Sequence, residues 1–455
     1  MKLYRYIPPA LLLTGLVYRA AGVLASAIWY DEAVSLYRTT LPFWTLAYDP
    51  SEYSGCLFLD LVLRPLMALS PHSLFLLRLP SLLASFGCLW LTWLLMRRLQ
   101  FTPLQQTLTA ALAAFLPGML WMAQDARVYS ILTLLALAGL YFAIDGRWLG
   151  LAACAGLMLY THNTAAALAG VLLLIGLALH RQDWKRYAAA AAIVFVAGLP
   201  VAIRMLSLDL SDKFWALPFS FWRFAFAWLE GMLVWTTPGA LALIPMVLLG
   251  LTLLLALRQT DRGMLFFAWA VPLFGLQVIS GLWQNVIIYR TMMPLVWFFL
   301  LWLGYELGRR PFRILQGVLL AGWALALVLG FGRFDPATRG GGIDQAAAQI
   351  RAGWQPGDRV FYTTNTAAAP FSFYLGDLPA DVWDGVANVF VTPPGMGTTA
   401  DLPQASRIWI VTPGEPLIRP DEQAFIDGWL ADATLITQAQ GPEFAAIYVY
   451  LKGQP

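Results

Sequence analysis

Runs of about twenty apolar residues recur along this chain, separated by short connections that hold most of its charge. They lie near 7–28, 77–95, 104–123, 128–144, 148–161, 164–179, 187–204, 239–257, 263–282, 291–307 and 314–331. That is about eleven crossings of a hydrocarbon layer roughly 30 Å thick. Inside such a layer no water satisfies the backbone, so each crossing must be a helix. The chain is 59% hydrophobic and only 12% charged, where soluble domains carry about 25% charge. The expected class is therefore a polytopic α-helical membrane protein. The opening "MKLYRYIPPALLLTGLVYRAAGVLASAIW" has a basic n-region, but its apolar run is long and its small-residue pattern leads straight into the carboxylate loop, so it reads as a retained first span, with a cleaved signal peptide as the lesser alternative. A net charge of +3, spread in clusters between spans, gives no nucleic-acid partner. Cys56, Cys88 and Cys154 have no paired spacing, so neither a disulfide framework nor a cysteine metal site follows.

The clusters orient the chain, because Lys and Arg accumulate in cytoplasmic connections. Lys2 with Arg5, Arg97 with Arg98, Arg147, Arg181 with Lys185 and Arg186, Arg258 with Arg262, and Arg309 with Arg310 and Arg313 fall on alternate connections. Parity then requires two short spans between Leu149 and Leu179, hinged at "YTHNT". The expected placement is a plasma membrane, with every long connection extracytoplasmic. The first of these, 29–76, contains "SGCLFLDLVLRPLMALS", whose Asp60, Arg64 and Pro65 favour an interfacial amphipathic helix over a crossing. The second, 205–238, is dense in aromatics beside Lys213 and Arg223, a composition that suits the headgroup layer.

Residues 332–455 differ in kind from 1–331. After a Gly-rich boundary, "DRVFYTT", "SRIWIVT" and "FAAIYVYLK" read as strands, and "GIDQAAAQIRAGW" and "DEQAFIDGWLAD" as helices. A small extracytoplasmic α/β domain is expected, with no phosphate loop and no His, and no catalysis is assigned to it.

Ionisable residues gather on the outer side of this topology. "SAIWYDEAVSLYRTT" sets Asp31 and Glu32 where the first span ends, and "AQDARVYSILTLL" places Asp125, Arg127 and Tyr129 at a later outer turn. His162 follows in "YTHN" and Arg290 in "WQNVIIYRTMMPL". Charges at span ends are costly unless they pair, and mark a functional pocket by default. Arg19, inside the first span, must find a carboxylate or water.

In this order, "WYDEAVSLYRTT", "RLPSLLASFG", "ARVYSILTLLALAGLYF", "LYTHNTAAAL" and "YRTMMPLVWFFLL" resemble the GT-C membrane glycosyltransferases related to protein O-mannosyltransferases and lipid A aminoarabinose transferases. The resemblance covers most of 1–331. It implies a GT-C type fold and transfer of a sugar from a polyprenyl-phosphate carrier to a lipid, glycan or protein acceptor on the non-cytoplasmic side. It also implies a catalytic Asp in the first outer loop, which falls on Asp31, with Glu32 beside it. Many bacterial relatives carry a His-Pro-Pro stretch later in that loop, where this chain reads "SEYSGCLFLD".

The chemistry of such a transfer needs a base for the acceptor hydroxyl and cations for the departing phosphate. Asp31, with Glu32 and Asp125, supplies candidate carboxylates; Arg290, Lys213 and Arg127 supply candidate cations, and His162 and Tyr129 candidate polar contacts. One base with direct attack gives inversion, whereas a carboxylate nucleophile gives retention. Asp31, Glu32, Asp125 and His162 also offer oxygen and imidazole donors of the kind that hold Mg or Mn, although no spacing demands a metal. The alternative reading is a transporter or flippase for a lipid or small solute, against which stand the one-sided charges and the long outer connections.

Overall fold

The computed structural model describes residues 5–48, 57–162, 164–206, 247–248, 251, 268–276, 289–308, 313–331, 341–383, 396–414, 420–439 and 446–453. The chain divides into two compact units: Met1–Val23, Ala47–Leu59 and Arg78–Phe334 form the first, and Leu24–Leu46, Asp60–Leu77 and Asp335–Pro455 the second. The segment that follows the first apolar run thus groups with the tail.

Helices of the first unit fall on the apolar runs: α1 (Ile7–Gly22), α5 (Leu74–Arg98), α6 (Pro103–Phe115), α7 (Pro117–Ala123), α8 (Tyr129–Asp145), α9 (Trp148–Leu159), α10 (Ala165–Leu179), α11 (Trp184–Leu206), α12 (Met293–Leu307) and α13 (Arg313–Phe331). Three short helices precede α5 or lie in its approach: α2 (Tyr30–Arg38), α3 (Phe43–Tyr48) and α4 (Leu57–Leu69). Among the described residues, two helices are long and apolar enough to cross a membrane, or three if α6 and α7 count as one bent span. Much of the expected runs 239–257 and 263–282 lies outside the described residues. On α11 Ile193, Phe195, Val196 and Ile203 are exposed, as a lipid-facing helix requires.

The run 104–123 is not one straight helix. Leu116 is extended, with ψ 120°, and α6 and α7 bend by 52° around it. Pro117 has no N–H to offer the carbonyl four residues back, that of Ala113. The last carbonyls of α6 are therefore orphaned in an apolar interior, and Arg19 takes them. Its Nη2 donates to Ala113 O at 2.8 Å and its Nη1 to Ala114 O at 2.8 Å. Nη1 also reaches Gly15 O at 3.0 Å, and Nε donates to Ser85 Oγ at 2.8 Å. The carboxylate or water expected for Arg19 is thus replaced by backbone carbonyls, because a helix C-terminus presents partial negative charge and unpaired acceptors.

Small residues let neighbours approach α6 closely. A Cβ on Gly15 of α1 would stand 2.9 Å from Ala114 Cα, and one on Gly304 of α12 would stand 3.0 Å from Thr109 Cα and 2.0 Å from its Oγ1. Such contacts hold helices together where lipid offers no hydrophobic drive. Trp297 of α12 adds a hydrogen bond from Nε1 to Thr92 Oγ1 of α5, at 2.8 Å.

In the second unit six strands form one sheet in the order β3-β2-β1-β4-β6-β5. They are β1 (Asp358–Tyr362), β2 (Ala380–Trp383), β3 (Gly397–Thr399), β4 (Arg407–Pro413), β5 (Thr434–Ala439) and β6 (Ile447–Gly453). The four strands β3, β2, β1 and β4 run parallel, while β6 pairs antiparallel with both β4 and β5. Helices α14 (Ile343–Gly353) and α15 (Asn365–Leu375) cover one face and α16 (Pro420–Leu430) the other. Alternation divides the strand side chains between these two cores. Val360, Tyr362, Trp409 and Val411 enter the first, and Phe361, Ile408 and Ile410 the second. At the start of β1, Asp358 accepts from Arg407 Nη2 at 2.7 Å, Trp409 Nε1 at 2.9 Å and Gln355 N at 2.9 Å. Burial opposes its charge, yet these donors prevail and hold its carboxyl below the usual range.

Replacing Gly304 by Leu forces α12 away from α6 and costs about 1–3 kcal/mol, the usual penalty of overpacking. In thermal unfolding of detergent-solubilised protein, Gly304→Leu lowers Tm, whereas Gly317→Leu, whose Cβ meets nothing within 4 Å, leaves it unchanged.

Candidate active site

Asp31 and Glu32 occupy the first turn of α2, where the partial positive charge of a helix N-terminus favours carboxylates. Trp29 caps the helix in an extended conformation, with φ −113° and ψ 174°. Helical phase then separates the two acids. Glu32 is fully buried, while Asp31 is only partly buried and keeps an accessible edge. At the other end of α2, Arg38 donates from Nε and Nη2 to Asp60 Oδ2 at 3.1 and 2.8 Å, with both side chains buried. Asp60 therefore turns inward from α4. Arg64 of the same helix donates to the carbonyl of Leu41.

The first unit assembles another group of the expected residues. Asp125 and Arg127 lie in the tight turn between α7 and α8, closed by a hydrogen bond from Arg127 N to Asp125 O at 2.7 Å. Both are buried. Ser81 Oγ donates to Arg127 O at 2.9 Å, fixing that turn against α5, and Ser130 Oγ donates to Met122 O at 2.8 Å across it. Tyr129 opens α8, and its ring meets that of His162 at 5.6 Å between centroids. His162 stands in the turn between α9 and α10. There the N–H of Thr164 donates to its Nδ1 at 3.2 Å, which leaves the neutral ring's proton on Nε2. Arg290 lies in the single 3₁₀ turn Tyr289–Met292 ahead of α12.

Burial, reinforced by the positive charges of Arg127 and Arg290, pushes the His162 imidazole down to about 4. The structure so brings Arg127, Tyr129, His162 and Arg290 into one neighbourhood, in which His162 is neutral at physiological pH and serves as a hydrogen-bonding group. Arg127 and Arg290 both lie near enough to His162 to disfavour its charged form, and the planar fork of a guanidinium suits phosphate. Lys213 lies outside the described residues. Among the described residues no group of three or more His, Cys, Asp and Glu is placed to hold a metal ion.

No protein-family model and no curated protein sequence matches the chain. Solved structures do. The crystal structure of ArnT from Cupriavidus metallidurans in the apo state matches with a TM-score of 0.62 at 14% identity, covering 97% of each chain. The crystal structure of the same protein bound to undecaprenyl phosphate matches with a TM-score of 0.58 at 15% identity, covering 98% of this chain and 97% of that one. This chain has the ArnT fold. The likeness takes in both the helical unit and the sheet-bearing tail.

Sequence reasoning missed the residues that hold α2. Asp60, with Arg64 and Pro65, suggests only an interfacial amphipathic helix, although a lone carboxylate there, with Arg38 in the same loop, is a usable signal for a buried pair. Tyr37 and Ser372, whose hydroxyls hydrogen-bond, are 335 residues apart, and no local pattern connects them.

The low His162 value sets a pH window. An unfolded histidine titrates near 6.5, so between about 4 and 6.5 the unfolded chain binds a proton that the folded chain refuses. The stability contribution is complete above 6.5 and is lost as pH falls through the window. Tm in detergent should decline from pH 6.5 to 4, and His162→Asn should flatten that decline. An equal slope in both proteins would assign the decline to other groups.

Proposed function

We propose that the protein is a membrane glycosyltransferase that moves a sugar from a polyprenyl-phosphate donor to an acceptor hydroxyl on the non-cytoplasmic side, with inversion. The observation that carries this reading is the ArnT fold over nearly the whole chain, one of the matched structures having undecaprenyl phosphate bound. The arginine pair beside a neutral histidine supports it further, because the leaving group of such a transfer is a lipid phosphate.

Roles are assigned residue by residue. Asp31, acidic and accessible, takes the acceptor proton as general base. The acceptor oxygen then forms a bond to the anomeric carbon while the bond from that carbon to the phosphate oxygen breaks, and polyprenyl phosphate leaves with the electron pair. Arg290 and Arg127 stabilise the negative charge that collects on the phosphate, with Lys213 as a further point charge. Glu32 and Asp125 orient this machinery, and His162 and Tyr129 contact the sugar phosphate through neutral hydrogen bonds. The acceptor is a lipid, glycan or protein carrying a free hydroxyl. Placement of the chemistry outside the cytoplasm rests on the alternating Lys and Arg clusters. The rival reading, a lipid or solute transporter, gives no role to an acid at an accessible helix N-terminus.

Purified protein incubated with radiolabelled undecaprenyl-phosphate mannose or undecaprenyl-phosphate aminoarabinose and a total membrane extract should release undecaprenyl phosphate and place label on an acceptor. Counterflow of the intact donor into proteoliposomes without bond cleavage would instead support transport. Asp31→Asn should slow single-turnover transfer by about 10² to 10⁴ while undecaprenyl phosphate still binds. For Arg290, affinity for undecaprenyl phosphate should fall from native to Lys to Ala, because Lys keeps the charge and loses the fork. Unchanged affinity in both variants returns Arg290 to a structural role. Orientation is tested separately: alkaline phosphatase should be active when fused after Gly453 and inactive when fused after Arg98.

A further inference from the structure

We infer that the C-terminal sheet domain is a positioning element for the acidic helix α2, acting through Tyr37, Ser372 and Tyr374. The inference rests on the reading of Asp31 as the base and assigns the tail a function within that reaction.

Helix α2 has nine residues, too few to persist without tertiary support. Its supports are directional. Just ahead of it, the backbone N–H of Ile28 donates to Tyr374 Oη at 3.0 Å. In its last turn, Tyr37 Oη hydrogen-bonds Ser372 Oγ. The Ser372 hydroxyl spends its own proton on Ala369 O at 2.8 Å, so Tyr37 is the donor and Ser372 the acceptor. Both tail partners sit on α15, which is itself anchored where Arg351 Nε of α14 donates to Tyr374 O at 3.1 Å. Phe373, between them, packs its ring at a tilt against that of His72, 5.6 Å between centroids.

Apolar packing alone would allow α2 to rotate or slide. Hydrogen bonds at both ends fix its phase, and one residue of rotation would turn Asp31 by about 100°. A group displaced by about 1 Å can lose 10²-fold in rate. The three residues touch no reacting atom and act only through the aim of α2.

The test uses the full-length protein in detergent with the labelled undecaprenyl-phosphate sugar that the native protein consumes. Tyr37→Phe and Tyr374→Phe keep their rings and should each lower kcat at least tenfold, while affinity for undecaprenyl phosphate and Tm stay native. Ser372→Ala should match Tyr37→Phe, the double variant should be no slower than either single one, and Ser372→Thr should restore the rate. Independently of any donor, amide hydrogen exchange over residues 30–38 should quicken in Tyr37→Phe and stay native over 129–145. Native kcat and native α2 exchange in both phenylalanine variants overturn the inference, as does a loss of kcat matched by a loss of Tm. Asp31→Asn separates the two levels. If it transfers normally, the catalytic reading itself falls; if it is inactive while the phenylalanine variants are native, only the positioning assignment falls.

Discussion

A buried guanidinium against a broken helix organises the first unit. An arginine in an apolar interior is costly unless every donor is used, and the orphaned carbonyls at a helix break carry the complementary cost. Arg19 and the last turn of α6 remove both at once. Beyond the bend at Pro117, α7 runs to Ala123, and the turn carrying Asp125 and Arg127 follows it. Close approach at Gly15 and Gly304 then keeps α6 between α1 and α12.

The same economy governs the candidate chemistry. Charges are found where helix termini or partners offset them: the acids of α2 at an N-terminus, and Arg38 on Asp60. Near Arg127 and Arg290, the titratable ring of His162 is one whose charged form burial and both guanidiniums oppose.

How much of this was legible in the sequence follows from the range of each interaction. Apolar runs gave the helices, because the bilayer sets their length, and β1, β4 and β6 were readable from buried β-branched and aromatic residues. Strand β3, three residues of "GTT", and the mostly exposed β5 carry no such signature, and α15 hides its helix behind Pro370. The 52° break in the run 104–123 was signalled by Pro117 but not by hydropathy, which stays high across it. Candidate residues at turns were visible as charges out of place. Their neighbourhood was not, because Arg127, His162 and Arg290 come from turns far apart in the chain. Still less visible was the grouping of the first loop with the tail.

That grouping has a consequence for biogenesis. The segment bearing Asp31 leaves the ribosome well before the phenol that receives the Ile28 amide, which lies 346 residues later. At a synthesis rate of about 5–20 residues per second, the interval is roughly 20–70 s. Through that interval the contacts of Ile28 with Tyr374 and of Tyr37 with Ser372 are unmade. Helix α2 therefore gains these two hydrogen bonds only after α15 has been synthesised.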